Sequence, residues 1–278
     1  MKQEPTERGK ATANPLTSAE TWDLVADAYT ADLLPWAEHF AREALRLAAL
    51  PPEPHIVDVA CGPRTLALLA AREGARVSAI DFSPQMIANL KRRAEEAGLS
   101  LVDARVGDGQ NLPFDDKSFD GAFSMVGLVF FPDRDAGFRE LYRVLKPGRR
   151  AVVSSIASLE GPFGQVLEGI HANLPNLPYG GGQRPPLGTP EEFSDEMSSA
   201  GFRDIVIHTI THREVTPTLD EYWARAQRSA APVALLQRRL GEKRWSDVAN
   251  SILEHLRQTV GEGPLEEITT HYLAVGVR

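Results

Sequence analysis

Three aspartates and one tight turn are the residues best placed to do chemistry together. Asp58 sits in the run His55-Ile56-Val57-Asp58-Val59-Ala60-Cys61-Gly62-Pro63-Arg64-Thr65-Leu66, an apolar strand pattern, a turn and the start of a helix. Asp81 ends the next apolar run, Ala79-Ile80-Asp81-Phe82-Ser83. Asp108 opens the block Asp108-Gly109-Gln110-Asn111-Leu112-Pro113-Phe114. In a doubly wound α/β sheet such a turn approaches an adenosine-containing ligand, and the second-strand carboxylate accepts hydrogen bonds from ribose hydroxyls. An acid at the end of the third strand can accept from the exocyclic amine of adenine. Any one of these acids alone reads as an ordinary strand-end cap. Three on consecutive strands point to the carboxyl edge, where open α/β sheets bind ligands.

Other chemistries find less support. Cys61 lies in the turn with no base beside it and reads as a small packed residue. It is the only cysteine, which rules out an internal disulfide and fits a reducing compartment. The seven histidines are scattered. His208 and His212 are four apart, but on a strand that spacing keeps them separated on one face, so no metal is expected. There is no Gly-x-Ser-x-Gly elbow and no phosphate loop. The absence of Gly-x-Gly-x-x-Gly spacing and of a Tyr-x-x-x-Lys pair argues against a nicotinamide oxidoreductase.

The elements that must hold these residues alternate regularly. Thr17-Ser18-Ala19-Glu20 has the form of a capping box. A helical pattern with Trp22, Val25, Tyr29, Leu33 and Trp36 follows, interrupted by Pro35. A second helix carries Phe40, Ala44 and Leu47 on one face. Strands are expected at 56–60, 77–81, 101–108, 119–126 and 151–156. Helices are expected at 64–73, from Pro84 to Gly98 and at 133–145. This alternation predicts a parallel sheet with helices on both faces. Residues 161–190 are rich in Gly and Pro and read as a long loop. Thr189-Pro190-Glu191-Glu192 then starts a helix ending near Gly201. A strand at 205–215, a helical stretch at about 218–260 with Leu219, Tyr222, Trp223 and Ala226 on one face, and a strand at 267–277 complete the chain.

A hydrophobic content of 42% over 278 residues supports a substantial core, in one large domain or a domain plus a cap. The net charge of −8 disfavours a nucleic-acid partner. No apolar run approaches a membrane span, and the first residues lack a signal-peptide pattern. The expectation is a soluble cytoplasmic protein, monomer or homodimer, acting on a small molecule.

The segment Asp58–Gly62, Asp81, the Asp108–Phe114 block, Ser118-Phe119-Asp120 and Leu145-Lys146-Pro147-Gly148 resemble class I methyltransferases that use S-adenosylmethionine (SAM). They are most similar to the small-molecule, ubiquinone/menaquinone-type enzymes. The resemblance covers about residues 54–156. It implies a Rossmann-like α/β fold, a seven-stranded mostly parallel sheet with the last strand antiparallel, plus a helical cap. The implied layout is lid helices at 1–50, a SAM-binding core at 51–156, an inserted cap loop at 157–190 and the rest of the core at 191–278. It implies SAM as cofactor, S-adenosylhomocysteine (SAH) as product, and methyl transfer to O, N or C of a fairly apolar acceptor. By the same resemblance Asp58, Ala60 and Gly62 surround the methionine part, with Cys61 in the turn under the cofactor, and Asp81 takes the ribose. Phe82 and Met86 lie against the adenine, and Asp108 meets its amine beside Gly109. Ser124 and Met125 floor the sulfonium, and Tyr29 and Trp36 belong to a lid. A plain packed face remains the alternative for Trp22, Tyr29 and Trp36.

Arg64 departs from the family pattern, which has a small residue there. It either pairs with the SAM carboxylate or points outward, or it obstructs the site and leaves a weak enzyme or a SAM-binding protein that transfers no methyl. Candidates for a base that deprotonates the acceptor are His171, Tyr179, His208 and His212, with surface or packing roles as the alternative.

Overall fold

The computed structural model describes residues 14–32, 34–63, 65–173 and 187–278. The first apolar run becomes β1 (His55–Val59), whose side chains are buried on both sides of the sheet. This is the signature of a strand inside a parallel sheet covered on both faces. α3 (Thr65–Arg72), β2 (Arg76–Asp81), α4 (Pro84–Glu96), β3 (Val102–Val106), β4 (Phe119–Met125), α5 (Arg134–Val144) and β5 (Leu145–Glu160) follow. β6 (Arg203–Thr216) and β7 (Leu265–Val277) close a seven-stranded sheet in the order β3-β2-β1-β4-β5-β7-β6. β7 runs antiparallel to both neighbours, and the pairs from β3 to β5 are parallel. This is the class I methyltransferase variant of the Rossmann-like fold.

The two faces of the sheet have separate cores. On one, α1 (Ala19–Asp32) leads into α2 (Leu34–Ala48), and Phe40 and Ala44 of α2 pack with Leu66 and Leu69 of α3, Leu90 of α4, and Ile56, Val77 and Phe123 of the sheet. On the other, Phe138 and Leu141 of α5 join Val57, Ala122 and Val153, together with Phe193 and Met197 of α7 (Pro190–Ser199). Helix starts follow the polar signals. Ser83 accepts the Met86 amide at 3.1 Å with Pro84 in the first turn, and Thr189 accepts the Glu192 amide at 3.3 Å.

The structure departs from the sequence expectation in four places. Thr17 does not cap α1 through a capping box; it lies in a 3-10 turn and its hydroxyl donates to the Asn14 carbonyl at 2.7 Å. The strand expected at 151–156 starts earlier, because Lys146-Pro147-Gly148 belongs to β5 and Leu145 is already paired to Phe119. The stretch 161–190 is not all loop, because Pro162–Asn173 forms α6. Its glycines disguised it, yet Gly169 is where α6 meets α9 (Ala231–Thr259), since a Cβ there would lie 3.3 Å from the Ile252 side chain. The last helical stretch is broken at Ala230, between α8 (Leu219–Ser229) and α9, and Gly241 within α9 has φ +72°.

α6, α8 and α9 form a cap with a core of its own, built from Val166, Ile170, Tyr222, Trp223, Trp245 and Ile252 among others. Among the described residues no helix is long and apolar enough to cross a membrane.

Candidate functional site

The turn after β1 is wired to the end of β2. The Cys61 amide donates to the Ile80 carbonyl at 3.1 Å, and the Gly62 amide donates to Asp81 Oδ2 at 2.8 Å. Asp81 Oδ1 takes the Ser83 amide at 2.9 Å. Ala60 and Gly62 both have positive φ, 54° and 58°. For Ala60 that is a strained conformation of the kind found at ligand sites. Burial raises the Asp81 carboxyl to about 6, against the pull of these amides. Asp58 lies deeper, 1% exposed, and its Oδ2 has no hydrogen-bond partner. Burial, then the Asp81 charge, pushes its carboxyl up to about 8. An orphaned buried acid beside a second carboxylate suits a cationic or hydrogen-bond-donating ligand group.

Above this turn lies a cavity of about 600 Å³. Asp81, Phe82, Met86, Asp108, Gly109 and Gln110 line one end. Met125, Val126 and Gly127 line the middle with Ala60 and Gly62. Two glycines are required here by close approach. A Cβ on Gly109 would lie 2.5 Å from the Phe131 ring and 2.6 Å from Val59. One on Gly127 would lie 2.5 Å from the Ala60 Cβ and 2.6 Å from Ser124 Oγ. A smaller cavity of about 80 Å³ adjoins it, sharing Tyr29, Trp36, Ala60, Gly62, Met125 and Val126, and adds Asp58, Cys61, Phe40, Ser154 and His271.

α1 roofs the cavity, and its polar face clamps it to α4. Asp23 accepts from Ser83 Oγ at 2.5 Å and from the Gln85 amide at 3.1 Å. Asp27 accepts from Asn89 Nδ2 at 2.9 Å. On the other side Asp32 pairs with Arg228 of α8 at 3.3 Å. Trp22 packs edge-on against Phe130 at 5.0 Å between ring centres. Trp22, Tyr29 and Trp36 all line the cavity and also pack against buried apolar residues.

The cap supplies the far end, where Ile156, Leu159, Phe163, Ala226 and Pro232 make an apolar wall. One polar group interrupts it. The Tyr222 hydroxyl donates to Glu267 Oε2 at 3.0 Å, and the same oxygen accepts the Phe163 amide at 3.1 Å. Arg225 donates to Glu214 at 2.6 Å and to Thr216 at 3.1 Å.

Of the expected cofactor residues, Tyr29, Ala60, Gly62, Asp81, Phe82, Met86, Asp108, Gly109 and Met125 line the large cavity, and Asp58 and Cys61 the small one. Ser124 lines neither; it is fully buried with an unpartnered Oγ. Burial and the nearby carboxylates push the Cys61 thiol up, away from nucleophilic use. Arg64 and Tyr179 lie outside the described residues. The three histidines proposed as bases do not reach the cavities. His171 lies on α6 and lines neither cavity, nor does His208. His212 faces α2, 5.0 Å from the His39 ring and 6.2 Å from Phe40 between centres. Among the described residues no cluster of His, Cys, Asp and Glu is arranged to hold a metal.

Sequence reasoning missed His271, Glu214, Arg225 and Glu267. His271 stacks on Phe40 at 3.7 Å between ring centres, is 1% exposed and has no partner for either nitrogen. Its strand position carries no signal that separates it from any other buried residue of β7. Tyr222 was seen only as part of an apolar helix face.

Known proteins bear on this geometry. Residues 57–153 match the family model described as a methyltransferase domain. Demethylmenaquinone methyltransferase of Desulfitobacterium hafniense is 34% identical over 120 residues, 42% of this chain and 47% of that protein. The chain spans about half the length of the curated relatives it matches. Among solved structures, phosphoethanolamine N-methyltransferase 2 of Haemonchus contortus, in complex with phosphomonomethylethanolamine and SAH, aligns with a TM-score of 0.59 at 19% identity. That match covers 92% of this chain and 57% of the other. The [4+2]-cyclase SpnF aligns with a TM-score of 0.60 at 20% identity over 97% of this chain and 99% of its own.

Proposed function

From a methyltransferase domain set in a class I methyltransferase fold, we propose that the chain binds SAM over the β1–β4 strand ends and transfers its methyl group to an O, N or C atom of a small, fairly apolar acceptor. One observation carries the reading: three strand-end aspartates border connected cavities that continue into an apolar chamber under the cap. The residues present fit the cofactor. Asp58 Oδ2 is an orphaned acceptor next to the space the methionyl ammonium would fill. Asp81 and Asp108 border the larger cavity at the end where the ribose and adenine would lie.

SAM supplies a methyl group already activated by positive sulfur. The chain's part is to bind, orient and exclude water. Asp58, Ala60, Cys61 and Gly62 cradle the methionine part, with Arg64 beside them in sequence. Asp81, already steadied by the Gly62 and Ser83 amides, would accept from the ribose hydroxyls. Phe82 and Met86 would lie against the adenine, Asp108 would take its amine, and Met125 and Gly127 would floor the reacting centre. Tyr29 and Trp36 close the roof.

Calorimetric titration with SAH tests the cofactor, and transfer of labelled methyl from SAM into a panel of apolar acceptors tests the reaction. Micromolar SAH binding and label incorporation are expected. No SAH binding at millimolar ligand refutes the reading. SAH binding without incorporation into any acceptor favours the second reading, use of SAM without methyl transfer, whose ground is the departure of the sequence at Arg64.

A further inference from the structure

The cap end of the cavity contains an electrostatic arrangement that methyl transfer as such does not require. Glu214 and Glu267 stand directly opposite each other on β6 and β7, and both line the cavity. Like charges in directly opposed sheet positions are destabilising. Arg225 compensates only in part. Its two terminal nitrogens are committed to Glu214 and to Thr216, and its guanidinium lies 5.6 Å from the centre of the Tyr222 ring. Glu267 is held through Oε2 alone, by the Tyr222 hydroxyl and the Phe163 amide. Its Oε1 accepts no hydrogen bond from a described residue. The group as a whole, two carboxylates and one guanidinium, carries a surplus negative charge inside an otherwise apolar chamber.

We propose that Glu267, steadied by Tyr222, grips a protonated amine on an otherwise apolar acceptor. The assignment rests on the reading of this chamber as the acceptor site and names its substrate class. It concerns how the acceptor is held, with no covalent step at Glu267. A carboxylate acceptor is disfavoured because Glu214 already neutralises Arg225, and a neutral alcohol leaves Glu267 uncompensated. Charge-assisted hydrogen bonds in a dry site are about twice as strong as neutral ones. The Glu267 carboxyl is raised chiefly by burial, so a cation brought beside it would favour its charged form.

The test is calorimetric titration at pH 7.5 with n-octylamine, n-octanol and n-octanoate, each with and without saturating SAH. Octylamine is expected to bind at least tenfold more tightly than either of the others. Glu267→Gln keeps both hydrogen bonds at Oε2 but removes the charge. It is expected to lower octylamine affinity about tenfold, to the level of octanol, and to leave SAH affinity within twofold. Glu214→Gln frees Arg225 and is expected to improve octanoate binding severalfold. Octanoate binding as tightly as octylamine to the native chain, no amine binding, or an unchanged amine preference in Glu267→Gln would each overturn the proposal. If SAH does not bind at all, the cofactor reading fails, while the titrations without SAH still report the amine preference.

Discussion

The two ends of the cavity are built in opposite ways. At the floor, the contacts come from backbone amides and strand-end acids close in sequence: Gly62 and Ser83 both donate to Asp81. At the cap, the groups come from α6, β6, α8 and β7, and Glu267 meets Phe163 across 104 positions. The floor is a rigid product of the parallel sheet, where a turn has few conformations that let a ligand approach. The cap is a separate helical core whose side chains converge only after the chain has folded back. The floor therefore suits a constant ligand part, and the cap is free to vary with the acceptor.

The sharpest way to break this contrast is at Asp81. On the proposed reading Asp81→Ala removes the ribose contacts, and it strands the Gly62 and Ser83 amides. At roughly 1.5 kcal/mol per hydrogen bond to a charged group, two lost ribose bonds lower SAM affinity on the order of 100-fold. Calorimetry against the native chain checks this. An Asp81→Ala chain that binds SAH as tightly as the native one removes the floor from the cofactor site.

Tyr222→Phe probes the other end. It deletes the hydroxyl that holds Glu267, a loss of about 1 kcal/mol. Turnover of an accepted substrate should fall roughly fivefold to tenfold while SAH affinity stays within twofold. If SAH affinity falls along with turnover, the two ends are not independent and the contrast collapses.

The same contrast explains what the sequence shows and hides. Asp58, Gly62, Asp81 and Asp108 are legible because strand periodicity puts them at one sheet edge, and the topology follows from the strand–helix alternation. Gly127 is missed because its requirement is spatial, a clash with Ala60 and Ser124 that no local pattern displays. α6 is missed because Gly164 and Gly169 mimic a loop, although Val166 and Ile170 bury against the cap. His171, His208 and His212 attract notice by residue type, yet their elements turn them away from the cavities. Glu214 and Glu267 gain meaning only from the register of two strands some fifty residues apart, a cross-strand pairing with no sequence signature.

Between floor and cap lies the roof, and α1 belongs to the floor in its polar contacts. Asp23→Ala removes acceptors for Ser83 and Gln85. The residual clamp from Asp27 to Asn89 limits the damage. SAM dissociation should quicken about threefold to tenfold with little change in association, measurable by stopped-flow fluorescence of Trp22. A change confined to association would place α1 with the cap.

The smallest effect at neutral pH is expected at His271, which underlies both ends. Its folded pKa is lowered to about 3, first by burial and then by His39 and His212. The unfolded value is near 6.5. Between these values the unfolded chain binds more protons, so stability rises with pH and is lost as pH falls below about 6.5. Asp58, raised to about 8, has the opposite sign: its contribution declines as pH rises from about 4 towards 8. The two groups squeeze the free protein from both sides. His271→Phe keeps the ring that stacks on Phe40 and removes only the acid-side loss. At pH 7.5 its melting temperature should match the native chain within about 2 °C. At pH 5 it should be higher by roughly 5 °C, about 2 kcal/mol of avoided protonation. Parallel melting curves at both pH values would show instead that this histidine takes up its proton in the folded chain as readily as in the unfolded one.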